Sequence, residues 1–112
     1  MKYFFAVVMV LHGLIHLMGG VNELGLSKIE GLSAQTLVPI SEFIKPLLGV
    51  LWLLAVVVFL VAAVGLVTGQ PWWKAVAAGA AILSQILVII WWPAAKVGTV
   101  ANALVIIALF LL

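Results

Sequence analysis

Apolar positions fill four stretches of this chain, and polar residues gather between them. The first apolar run is Tyr3 to Gly20 and the second Phe43 to Val67. The third is Pro71 to about Ile90, and the fourth starts within Pro93–Val97 and continues to Leu112. A helix rising 1.5 Å per residue needs about 20 apolar residues to cross a hydrocarbon core of about 30 Å. The runs predict four helices, at about 3–20, 43–67, 71–90 and 94–112. Joined by short turns, they make an all-α, up-down four-helix bundle of the integral membrane class, with 1–112 as one domain.

The breaks carry their own signals. Thr68-Gly69-Gln70-Pro71 puts a Gly just past one helix and a Pro at the opening of the next, the usual asymmetry of helix ends. Trp72 and Trp73 begin the third helix, and Trp91 and Trp92 end it. Such pairs sit at membrane interfaces, ring in lipid and N–H toward water. Pro93 follows at once, so the third and fourth helices are antiparallel neighbours. The one long connection, 21–42, holds all three acidic residues, Glu23, Glu30 and Glu42. Within it Ser27-Lys28-Ile29-Glu30 matches a capping box. A short interfacial helix at 28–36 and an irregular loop are equal expectations there.

Composition agrees with a bilayer and removes other classes. Of 112 residues, 68% are hydrophobic and only 7% charged. A soluble domain of this size could not cover so much apolar surface, and disorder is excluded by the same apolar excess. The net charge of +2 is too small and dispersed for nucleic acid. With no Cys, disulfides, thiolate metal sites and thiol catalysis are out. The first run resembles a signal peptide in having Lys2 ahead of an apolar stretch. Two histidines interrupt it and no A-x-A-like site follows, so it reads as a retained helix. The expected location is the cytoplasmic membrane of a prokaryote. The lysine count slightly favours the N-terminus outside, whereas the N-terminal amine and the acidic first loop favour it inside, and N-in is the expected orientation.

Polar groups at bilayer depth are expensive and mark sites by default. His12 and His16 lie one turn apart on one face, and Gly19 and Glu23 extend that stripe. Imidazoles at i, i+4 can chelate one metal ion, but the zinc-protease pattern needs a Glu where Gly13 stands here. The plain alternative is a hydrogen bond from each His to a neighbouring helix; a proton relay is the third. In the second helix Ser41, Lys45, Gly49 and Trp52 share a face, with Lys45 as an interfacial anchor or a ligand group. Ser84 and Gln85 lie deep in the third helix, and Lys96, Thr99 and Asn102 open the fourth. The carboxamides of Gln85 and Asn102 need protein partners in lipid. Ala75 and Gly79 form a small-xxx-small pair, expected against another helix. Up-down topology collects His12, His16, Glu23, Lys45, Trp52, Ser84, Gln85, Lys96 and Asn102 toward one membrane side. They are the candidate ligand or polar-layer residues. No catalytic group is evident.

Several segments resemble a group of small, uncharacterised prokaryotic four-helix membrane proteins. They are His12-Gly13-Leu14-Ile15-His16-Leu17-Met18-Gly19, Pro39-Ile40-Ser41, Leu51-Trp52-Leu53-Leu54-Ala55, Ser84-Gln85-Ile86-Leu87 and Ala95-Lys96-Val97-Gly98-Thr99-Val100-Ala101-Asn102. The build is also similar, more loosely, to DoxX-like small membrane proteins. The resemblance implies the four-helix architecture and no activity. It also implies an acidic residue before Lys96, where this chain has Ala95.

The leading expectation is a non-enzymatic bundle acting as an accessory subunit or small-ligand binder. The alternative is a small proton-coupled or dual-topology transporter using His12 or His16. Small multidrug-resistance transporters share the length and helix count, but their first-helix Glu has no counterpart here. A metal-binding protein with His12 and His16 as ligands comes third; a metal ion is the one cofactor considered. Expected partners are the lipid bilayer and a homo-oligomer or larger membrane complex.

Overall fold

The computed structural model describes the backbone of residues 1–23, 43–91 and 97–112 and, outside 19–23, their side chains. Four α-helices and no strand occur among the described residues. They are α1 (Lys2–Glu23), α2 (Lys45–Val67), α3 (Trp73–Ile90) and α4 (Gly98–Leu111). At 1.5 Å per residue they are about 33, 35, 27 and 21 Å long. The segment 28–36 lies outside the described residues, as do Ser41 and Lys96. α1 continues through Gly19-Gly20, where no Pro or left-handed turn stops it; among the described residues only Gly69 has a positive φ, of 71°.

That glycine ends α2 in a Schellman motif. Gly69 N–H donates to Leu66 O at 3.2 Å and Gln70 N–H to Gly65 O at 2.8 Å, satisfying two carbonyls that a helix end leaves over. Thr68 Oγ1–H donates to Val64 O at 2.7 Å. The chain then reverses directly into α3. Gly65 makes the reversal tight: a Cβ there would stand 2.6 Å from the Trp72 ring.

Each helix packs on its chain neighbours, and α1 closes the ring on α4. Neighbours run antiparallel. Lys2 at the start of α1 reaches Val67 at the end of α2, Trp52 early in α2 meets Trp91 just past α3, and Gln85 late in α3 meets Thr99 early in α4. The buried face of α1 is Phe5, Ala6, Met9, His12, Gly13 and His16, a 3–4 spacing that holds one stripe inward. The same spacing buries Trp52, Ala55, Phe59 and Ala62 on α2, and Ala77, Ala80, Ala81 and Ser84 on α3.

Two apolar clusters result. One joins Met9, Phe59, Ala63, Ala80 and Val105 around the ends nearer Lys2. The other joins Leu48, Trp52, Ala55, Leu87 and Trp91 toward the opposite end. The outer surface between the ends is apolar too, with Val7, Leu11, Leu54, Val57, Ile82 and Ile86 all exposed. α2 and α3 are each long and apolar enough to cross a membrane. α1 and α4 contribute shorter apolar lengths, Lys2–Met18 and Gly98–Leu111.

The expected contact of Ala75 and Gly79 with another helix is not made. Both are exposed, and a Cβ at Gly79 would meet nothing within 4 Å. Small residues recur on two faces of α3. Ser84, Leu87 and Val88 continue the face of Ala77, Ala80 and Ala81, and that heavier stripe turns inward. The close approach falls elsewhere: a Cβ on Gly13 would stand 3.1 Å from Phe59 Cβ and 3.5 Å from Val56 O. Gly13 thus brings α1 against α2 beside both histidines.

Candidate functional site

Between the two apolar clusters lies a polar layer. It is built from His12 and His16 on α1, the second half of α3 and the first turns of α4. His12, His16, Ser84 and Asn102 are its buried polar residues, and Gln85 and Thr99 are half-buried beside them.

The hydrogen bonds form one directional chain. His16 Nδ1–H donates to His12 O, one turn earlier, at 2.6 Å. With both rings neutral, this leaves His16 Nε2 as an acceptor, and Ser84 Oγ–H donates to it at 2.7 Å. The Ser84 oxygen then faces His12 Nε2–H at 3.2 Å. The same His12 N–H donates more closely to Asn102 Oδ1, at 2.8 Å. Asn102 Nδ2–H donates to Gln85 Oε1 at 3.0 Å, and Gln85 Nε2–H donates to Thr99 Oγ1 at 3.2 Å. Six side chains from α1, α3 and α4 are joined. Ser84 crosses the diagonal of the bundle, since α1 and α3 are opposite in the ring. Each link pairs a donor with an acceptor, as buried polar groups require.

Aromatic rings wall the histidines from the α2 side. Phe59 lies 5.0 Å from the His12 ring and 5.4 Å from the His16 ring, centroid to centroid. Trp52 lies 5.1 Å from His16, and Trp91 meets Trp52 edge to face at 5.3 Å. Trp52 is 5% exposed. Its indole Nε1 has no hydrogen-bond partner and is the one such buried side-chain atom among the described residues.

The structure therefore brings His12, His16, Trp52, Ser84, Gln85 and Asn102 together. Lys45, the first residue of α2, is half-buried at the bundle end, two turns from Trp52. Glu23 closes α1, its side chain outside the described set, and Lys96 is outside it altogether. Phe59 and Trp91 were not among the sequence candidates. No polar signal marks Phe59 within the run 53–61, and Trp91 reads equally well as an interface anchor. Gly13 carried a usable signal, a residue without side chain between two histidines on one face.

As metal ligands, His12 and His16 turn both Nε2 atoms toward Ser84 Oγ. Among the described residues no third His, Cys, Asp or Glu joins them. Two imidazoles with only neutral oxygens nearby are a sparse donor set for a divalent ion. Comparison with family models, with curated proteins and with solved structures finds no match.

Proposed function

We propose that this chain is a small integral membrane protein, a non-enzymatic four-helix bundle that binds a small neutral ligand at the His16–Trp52 end of its polar layer. The membrane part of this reading rests on the apolar exterior and on two helices of spanning length. An apolar exterior of that extent is what lipid, or a partner's helices, would cover.

One observation carries the ligand part. The Trp52 N–H is buried and unpaired, on an indole whose ring centroid lies 5.1 Å from that of His16, while every side chain of the adjoining chain is paired. A buried donor without a partner costs about 1–3 kcal/mol. A ligand oxygen supplying the missing acceptor removes that cost and gains recognition from the rings around it.

The same geometry gives less support to a proton relay. Only the segment His12–Ser84–His16 has the right groups. At one end it stops on the His12 carbonyl, and at the other it passes into the carboxamides of Asn102 and Gln85, which do not hand a proton on at ordinary pH.

The test compares wild type with Trp52→Phe, purified in mild detergent. Small molecules released on denaturation are measured by mass spectrometry. The reading expects a molecule at near-stoichiometric level from wild type and a large loss of it from Trp52→Phe, with the helical signal unchanged. If wild type releases nothing and Trp52→Phe melts higher, the unpaired N–H is merely a defect and the ligand reading fails.

A further inference from the structure

Away from the polar layer, α1 and α2 leave a groove of about 750 Å³ between them near the Lys2 end of the bundle. Its walls include Tyr3, Val7, Val10, Leu60, Ala63 and Val67. Apart from Tyr3 and Thr68 at the mouth, every lining side chain is aliphatic. Its shape follows from two alanines, Ala6 and Ala63, whose short side chains form the floor while longer neighbours stand up on either side.

The groove runs from Tyr3 to Leu11 along α1 and back from Thr68 to Leu60 along α2, a length of about 12 Å at 1.5 Å per residue. A bilayer's hydrocarbon core is about 30 Å thick, so one leaflet is about 15 Å. The groove thus spans most of one leaflet, from the bundle end toward the midplane.

Its mouth is cationic. Lys2 Nζ donates to Val67 O at 3.0 Å and stands 5.5 Å from the Tyr3 ring centroid; both partners line the groove. An ammonium has three N–H donors, and Val67 takes one. Lys74, in the first turn of α3, is exposed at the same end.

We propose that the α1–α2 groove is a phospholipid site selective for a net-anionic headgroup. One acyl chain lies along Ala6, Val10 and Ala63. The phosphate above it accepts hydrogen bonds from the N–H groups of Lys2 that Val67 does not use. A zwitterionic headgroup would bring a cation to Lys2 and Lys74 and loses the contest. The proposal rests on the membrane reading above but not on the ligand reading at Trp52.

The experiment uses the full chain in detergent with equimolar phosphatidylglycerol and phosphatidylcholine of identical acyl chains, with adducts counted by native mass spectrometry. Wild type is expected to favour phosphatidylglycerol about fivefold or more, the scale of one lysine near an anionic surface. Lys2→Gln should lower that preference about fivefold while adducts of both lipids persist. Val7→Trp and Leu11→Trp, which fill the groove from exposed positions, should remove adducts of both lipids. Either variant that keeps the wild-type circular dichroism suffices. Equal binding of the two lipids by wild type, an unchanged preference in Lys2→Gln, or adducts that survive a folded Trp variant overturns the proposal. Fractionation separates this failure from that of the membrane reading. A protein that stays in the aqueous phase without detergent defeats both, whereas a membrane-retained protein with no lipid preference defeats this proposal alone.

Discussion

His16 is tied to His12 twice, through its Nδ1–H to the His12 carbonyl at 2.6 Å and through the edge-to-face contact of the two rings at 4.5 Å. The first tie fixes which nitrogen of His16 carries hydrogen. The Nε2 lone pair then points away from α1, toward Ser84 on the opposite helix. His12 has the reverse assignment, because its Nε2 faces the carbonyl oxygen of Asn102 and must donate. Two histidines one turn apart thus take opposite tautomers, and the helix-to-helix chain depends on that difference.

The tautomers can be read directly. In protein labelled with 15N at histidine, solid-state NMR should find one ring protonated at Nδ1 and the other at Nε2 near neutral pH. Asn102→Leu should release the His12 tautomer and leave His16 at Nδ1–H. Two rings of the same tautomer in wild type would contradict the hydrogen-bond chain.

Ser84 is the single residue that joins both histidines to α3. Ser84→Ala removes the donor to His16 and the second acceptor of His12, leaving a buried ring nitrogen without a partner. Interhelical hydrogen bonds in membranes average about 0.6 kcal/mol and reach about 1.7, and an orphaned buried acceptor adds to the loss. A destabilisation of about 1–2 kcal/mol is expected in a denaturant titration in detergent. An unchanged midpoint would place Ser84 outside the network.

Glycines 13 and 79 should behave oppositely. Gly13→Leu must push α1 away from Phe59, where even a Cβ stands 3.1 Å off, and is expected to cost about 1–3 kcal/mol or more as overpacking. Gly79→Leu meets open space and puts a better helix former at a mid-helix position, so its stability should be unchanged or raised by up to about 1 kcal/mol. If Gly79→Leu proves the more damaging, α3 is rotated relative to this structure or Gly79 faces a partner chain.

The antiparallel order places Gln70 at one end of the bundle and Phe43 and Val97 at the other. In membranes, single cysteines at Phe43 and Val97 should label from one side and a cysteine at Gln70 from the opposite side. These 112 residues contain no Cys, so no background from them competes. Labelling of all three from the same side would remove the transmembrane reading.

Length and spacing of the apolar runs determined much of the fold without any coordinates. Four helices fall where four runs were, because a long apolar run has one regular way to satisfy its backbone within itself. The α2–α3 reversal was equally legible, since Thr68-Gly69-Gln70-Pro71 spells a helix end and a helix start in local chemistry alone. The pairing of the histidines on one face came from periodicity, and the depth they share with Ser84, Gln85 and Asn102 from the up-down order of the runs.

Tertiary structure decided which of several equivalent faces turns inward. Ala75 and Gly79 and the stripe Ala77-Ala81-Ser84 are both small-residue faces of one helix, and only packing against α1, α2 and α4 distinguishes them. It also decided which groups the histidine Nε2 atoms meet, because their partners Ser84 and Asn102 stand 68 to 90 positions away. Phe59 and the unpaired indole of Trp52 became site residues for the same reason. Within a run apolar on every side, a sequence holds no record of which ring will face a histidine until the helices meet.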